Sequence, residues 1–435
     1  MTLILVTVTD VRPPLLTTLA ALPLLGLTAC AGITSTTADV EASSAAAATA
    51  QDEQADDEAH GAAEVAAPRP RIVTTYDGGV LVVDALTLEV VEDLELPGYN
   101  RLGPFGDDRH VFVTVTDGRE KGFRVLDVGS WSRQHGDHAH HYAGDPQLTG
   151  TVVPADAPGH AIPHGGVTTL FDDATGDILV LDRDELLAGT GEPERHTSEA
   201  AHHGFALVLD DGSLVATLGD EEARTGLRVL DADGAEVARN EDCPGIHGEG
   251  VVQGEIVVAG CEDGVLVQDG TTITKLQVPA AFGRIGNLYV SPTSPLAVGD
   301  HKADPEQGLT LTEVALVDTT VPSLRVVELP DGIGYTWRGV GRGADDEGLL
   351  LGTDGALHVL DVATGEVTAS HAVIEPWEAP DAWQEAHPAL LVLDGMAYVT
   401  DPARRQIHAV DPVTGEVWRS GDLPAAPNEI IGTRG

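Results

Sequence analysis

Ile178-Leu179-Val180-Leu181-Asp182 is a short apolar run closed by an aspartate, and the chain carries it eight times. The other copies are Val80 to Asp84, Arg124 to Asp127, Leu227 to Asp231, Val265 to Asp269, Val314 to Asp318, Leu357 to Asp361 and Ile407 to Asp411. The closing aspartates are 43, 55, 49, 38, 49, 43 and 50 residues apart. Two copies continue alike, as Ala363-Thr364-Gly365-Glu366-Val367 and Val413-Thr414-Gly415-Glu416-Val417. That phrase is a tight turn leading into a further strand. Repeats of about 40–50 residues built of strands and turns signal a β-propeller, because a four-stranded blade buries its faces only against its neighbours. The sequence therefore predicts an all-β fold, a propeller of eight blades over residues 70–435. Seven is the alternative if the repeat around Asp269 is not a full blade. The first repeat lacks an inner strand, and the tail Asn428-Glu429-Ile430-Ile431 can supply it. The ring is then closed by N- and C-terminal strands, which removes open sheet edges.

Outward from the repeats, the N-terminus reads as an address. Arg12, the apolar residues 15–27 and Leu27-Thr28-Ala29-Cys30 form a secretory signal with a cysteine at the lipobox position. Residues 1–30 are thus expected to be a lipoprotein signal peptide, with Cys30 lipidated. The protein is expected to be exported and anchored on the outer face of the cytoplasmic membrane by that lipid alone. Residues 31–69 are small, polar and acidic, which predicts a disordered acidic tether. The remaining cysteines, Cys243 and Cys261, are an even pair in an exported chain, so a disulfide is expected.

The 24 Lys and Arg against 70 Asp and Glu leave a formal charge of −46. Such a surface repels phosphate backbones and anionic lipid, so nucleic acid is excluded as a partner. It attracts cations without choosing among them. Choice falls to the 17 histidines. His164-Gly165, His203-Gly204 and His247-Gly248 stand before apolar runs in three consecutive repeats, where a propeller's first strand enters its central channel. Three imidazoles at one channel mouth suit a tetrahedral zinc site, with Glu249, His202 or His387 as the fourth ligand. With only two Met and no free thiolate pair, softer metals are disfavoured. A second cluster, His135-Gly136-Asp137-His138-Ala139-His140-His141, lies in the longest insertion, read as a mobile loop over residues 130–147 that also binds Zn2+.

An exported propeller carrying His135-x-Asp137-His138-x-His140 resembles the periplasmic zinc metallochaperones of the AztD type. The resemblance spans residues 70–435. It implies delivery of zinc to the solute-binding protein of a zinc ABC importer, and the chain is expected to be a monomer and not an enzyme. The resemblance also implies one zinc site in the propeller and one on the mobile segment. The expected mechanism is that the loop residues His135, Asp137, His138, His140 and His141 offer replacement ligands one at a time, so that zinc moves by associative exchange. Two other classes use this fold. A metal- or quinone-dependent propeller enzyme, hydrolase or dehydrogenase, is disfavoured by the lack of a Cys-Cys pair, a Cys-x-x-Cys-His haem site or a Gly-x-Ser-x-Gly elbow. A plain protein-interaction propeller leaves the histidines without a role.

Overall fold

In seven of the eight repeats the closing aspartate is a turn-former that accepts a following backbone N–H. Asp84 accepts the backbone N–H groups of Leu86 and Thr87, Asp231 those of Asp233 and Ala235, and Asp411 those of Val413 and Thr414. Such Asx turns release the chain from one strand and aim it into the next. Asp182 does the same work as the N-cap of the six-residue helix Arg183–Ala188.

The computed structural model describes residues 62–116 and 121–435. The signal segment, Cys30 and tether residues 31–61 lie outside the described residues. Within them are eight four-stranded antiparallel sheets and one three-stranded sheet. Every Asp-ended run is, or leads out of, the third strand of its sheet, so each repeat is one blade. The repeat at Asp269 is complete, with strands His247–Val252, Ile256–Cys261, Gly264–Asp269 and Thr272–Gln277. The C-terminal strand Ile430–Thr433 pairs with Arg71–Tyr76, from Arg71 opposite Thr433 to Thr74 opposite Ile430. It is the inner strand of the first blade, as the sequence predicts. Glu429 fastens this closure to the next blade by accepting from Arg101 Nε and the Leu102 N–H, both at 2.9 Å.

The first strands lie side by side around the axis: Pro158–His164 touches both Arg101–Pro104 and Ala206–Val208. They run in one direction, so one face of the ring, here the upper, collects their starts, and the lower face their ends. Between blades the contact is apolar. Val73, Val80 and Val82 of the first blade pack on Val111, Val113 and Leu126 of the second. Each such side chain, fully buried, contributes about 1.5–3 kcal/mol.

Two expectations are corrected. Residues 130–147 are not a mobile loop: Ser130–His135 and His138–Ala143 pair as a β-hairpin. Its root is packed, with Ser130 buried, Trp131 stacked on Tyr142 at 5.4 Å and Arg109 over the Trp131 ring at 3.7 Å. The end of the expected tether is ordered as well. Ala63–Val65 adds a third strand to the hairpin, with Val65 opposite His141. A polar segment adds such a strand through backbone hydrogen bonds, which composition does not reveal.

Cys243 and Cys261 form a disulfide joining the fourth and fifth blades, at a sequence separation of 18. A loop of that length contributes about 3 kcal/mol by restricting the unfolded chain. His247 lies inside it.

His387 is buried, and its pKa is pushed down to about 4, chiefly by burial and then by the nearby Arg338. Its Nδ1 bonds the Glu385 carbonyl at 2.8 Å. An unfolded imidazole takes up its proton near pH 6.5, before the folded one does. Stability is therefore full above pH 6.5 and falls as the pH drops towards 4, by up to about 3 kcal/mol from this residue. Thermal unfolding across that range checks this, with a shallower fall in a His387→Gln variant.

Candidate metal centre

Three histidines from three consecutive blades meet at the upper mouth of the channel: His160, His203 and His247. One ring nitrogen of each lies within 4.8 Å of those of the other two. His203 and His247 stack at 5.2 Å between ring centroids, and His160 sits 5.2 Å and 5.4 Å from them.

Each ring is held by its Nδ1. His203 Nδ1 faces Asp173 Oδ2 at 2.6 Å, His247 Nδ1 faces the Gly286 carbonyl at 2.6 Å, and His160 Nδ1 faces Glu249 Oε1 at 3.2 Å. A ring whose Nδ1 donates its proton offers a lone pair at Nε2, the tautomer a zinc ligand needs. Two of the three orienting groups are carboxylates, which also raise imidazole basicity. These residues fit a zinc ion. The three nitrogens need to draw in to about 3.3 Å spacing around a tetrahedral ion with Zn–N near 2.0–2.1 Å.

Burial disfavours protonation of His160, but the charge and hydrogen bond of Glu249 outweigh it and raise the pKa above the ordinary value. His247 is pushed well below, by burial first and then by the neighbouring His160. The Glu249 Oε2 atom is buried and without a protein partner.

Of the expected ligands, His203 and His247 are in this group, and Glu249 stands behind His160. His164 is not in it. His164 is the last residue of Pro158–His164 and so lies at the lower mouth, against Glu255. His160, on the same strand and given no role in the sequence reading, takes its place. The strand Pro-Gly-His-Ala-Ile-Pro-His has little β-branched character, so the apolar run after His164 passed for the first strand, although Val167–Asp172 is the second. His160 to Asp182 and His247 to Asp269 are both 22 residues, against 18 from His164, but His203 to Asp231 is 28, so spacing gave only a partial signal. His202 is spent in the core, with its ring nitrogens on the Ala200 carbonyl and Thr217 Oγ1, each at 2.9 Å. His387 belongs to the eighth blade, across the ring from blades three to five. Asp173, which holds His203, also escaped the sequence reading.

The hairpin gathers a second group, His135, His138 and His140. Side chains alternate along a strand, so His138 and His140 share a face and His135 stands opposite His138 on that face. His138 Nε2 and His140 Nε2 are 3.1 Å apart, close to the spacing of two nitrogens on one zinc. His141 points to the other face, where its Nδ1 meets Ser132 Oγ at 2.7 Å, so it is no partner of the three. Asp137 sits in the turn with Gly136, whose φ of 63° suits a residue without Cβ. Glu64, on the added strand, holds His140 Nδ1 at 2.7 Å.

The two groups occupy opposite faces. The hairpin leaves the third strand of its blade at Asp127, which pairs with His110, and His110 follows the end of the inner strand. The hairpin is therefore rooted on the lower face and the three channel histidines are on the upper. Direct displacement of the channel ligands by the hairpin of the same molecule does not fit this placement.

Beside His203 and His247 the upper mouth widens into a cavity of about 450 Å³, where Arg101, Arg284, Lys302 and Trp383 also line the wall. Three cationic side chains stand out in a chain with only 24. They favour an anionic visitor next to the imidazoles, although Asp300 lines the same wall and Glu429 and Glu262 pair with Arg101 and Arg284.

No protein-family model matches the chain. The chain is 26% identical over 370 residues to the zinc chaperone AztD of Citrobacter koseri, covering 82% of this chain and 84% of that protein. The crystal structure of Citrobacter koseri AztD superimposes with a TM-score of 0.69 at 23% identity, over 84% of this chain and 98% of that one. Its apo structure gives 0.68 at 22%, over 84% and 97%. The dihydro-heme d1 dehydrogenase NirN shares the fold alone, at 0.52 and 14%, over 84% of this chain and 75% of that one. In sequence and in fold, over most of both molecules, this chain resembles the AztD zinc chaperone.

Proposed function

We propose that the chain is an extracytoplasmic zinc metallochaperone that carries zinc on His160, His203 and His247 and passes it by ligand exchange. The recipient is the solute-binding protein of a zinc ABC importer. The observation that carries this reading is the convergence of three imidazoles from successive blades, each with its Nδ1 already engaged. Glu249 and Asp173 act as orienting carboxylates, and the fourth zinc position faces the cavity. A carboxylate of the recipient enters there, drawn by Arg101, Arg284 and Lys302, and binds before the first histidine leaves. The zinc is never free in this scheme. The recipient, not the hairpin of the same molecule, supplies the exchanging ligands. His135, His138 and His140 form a separate zinc site on the lower face.

The lipobox at Cys30 supports anchoring on the outer face of the cytoplasmic membrane, with the acidic segment as the tether. No helix among the described residues is long and apolar enough to cross a membrane. The likeness to AztD supports a carrier rather than an enzyme. Zinc content after dialysis against a weak chelator tests this, with mass spectrometry of the purified protein. Retained zinc and no organic cofactor are expected. A protein emptied by dialysis would be an interaction propeller, and an organic cofactor would make it an enzyme.

A further inference from the structure

The lower mouth holds another convergence, built from the same three blades as the upper one. His164 ends the inner strand of the third blade. Asp210 lies in the turn after Ala206–Val208 in the fourth, and Glu255 in the turn between His247–Val252 and Ile256–Cys261 in the fifth. His164 Nε2 is 2.9 Å and 3.1 Å from the two oxygens of Glu255, and 4.0 Å from Asp210 Oδ1. One ligand atom from each of the three residues lies within 4.8 Å of the others. The backbone N–H of Asp210 donates to Glu255 Oε2 at 3.1 Å and so fixes the spacing of the two turns. Gly165 contributes by its smallness: a Cβ there would come within 3.2 Å of Asp210 Oδ1. The side chain of His164 is 18% exposed and that of Asp210 69%, so the group is walled on one side and open to water on the other.

We propose that His164, Asp210 and Glu255 form a further divalent-cation site that takes Zn2+, distinct from the channel histidines and from the hairpin. Two carboxylates match the charge of a dication. The imidazole turns the preference from magnesium or calcium towards zinc. The ion pairs of both carboxylates run to His164. A zinc ion there takes over from the His164–Glu255 hydrogen bond as the link between the residues. The open side leaves room for water, so this zinc exchanges readily. The site shares the lower face with the hairpin, opposite the channel histidines. His160 and His164 are four residues apart on one strand, about 13 Å at 3.3 Å per residue, too far for one ion to bridge.

The test is saturating zinc stoichiometry, measured on the full chain with zinc sulfate and a competing chelator. Glu255→Gln and His164→Ala are each compared with the parent, with thermal unfolding as the control for folding. Glu255→Gln keeps an acceptor for the Asp210 N–H, so it remains informative if His164→Ala unfolds. The expected result is the loss of one equivalent in either variant while the tightest zinc stays bound. X-ray absorption on a variant lacking the channel and hairpin histidines should show one nitrogen shell contribution among oxygens. Unchanged stoichiometry in a folded Glu255→Gln variant would overturn the site and leave an ion pair. Loss of the tightest zinc from the parent itself would contradict the transfer reading instead, so the two failures are distinguishable.

Discussion

Replacing His160 by alanine removes the tightly held zinc, whereas replacing His164 by alanine leaves it. His160 supplies one of three imidazoles at the upper mouth, and its loss leaves two ligands for an ion that takes four. Loss of an orienting partner behind a zinc ligand costs roughly 10–100-fold in affinity. Asp173→Asn, which weakens the hold on His203, is expected in that range. Loss of His160 itself is expected to cost more than that. Competition titration with a chelator of known zinc affinity measures both. Equal affinity in the His160→Ala variant would remove the channel site from the account.

Alanine at His135, His138 and His140 together is expected to lower zinc capacity by one equivalent and to leave transfer from the channel site at its original rate. The prediction follows from topology. The hairpin is rooted beside the ends of the inner strands, and the channel histidines lie at their starts. A loop that displaced the channel ligands within one molecule would slow transfer when stripped of its imidazoles. The hairpin site needs its own orientation: Glu64 holds His140 Nδ1, so Glu64→Gln should weaken the hairpin zinc alone. Stopped-flow transfer and zinc stoichiometry on the same preparations separate capacity from rate.

The propeller was legible because its signal is repetitive. Eight aspartates close eight third strands, and seven of them do so for the same reason, a turn whose backbone N–H groups need an acceptor. Ring closure was legible in the spare strand at Ile430. The site was half legible. His203 and His247 precede or begin inner strands with ordinary apolar patterns, so their phase could be read. His160 sits in an inner strand that two prolines and a glycine disguise, and its register shifts between Pro158 and Ala161. A β-bulge of that kind breaks the two-residue period on which phase depends. The histidines of the hairpin were found by composition, but composition could not show that a Gly-Asp turn would order them. That order puts His135, His138 and His140 on one face and turns His141 away. Tertiary partners such as Asp173 and Glu64 leave no local mark. His203 and Asp173 are 30 residues apart, and His140 and Glu64 76.

In this scheme zinc is handed directly from the channel histidines to a recipient. The measurement that tests this hand-over most directly is transfer to the zinc-free solute-binding protein of a zinc ABC importer, with a strong chelator present in excess. Zinc is expected to reach the recipient nearly undiminished by the chelator, at a rate that rises with recipient concentration. The rate is also expected to fall when Arg284 and Lys302 are replaced by glutamine. Zinc captured by the chelator, at a rate independent of the recipient, would mean release into solution and would contradict the account.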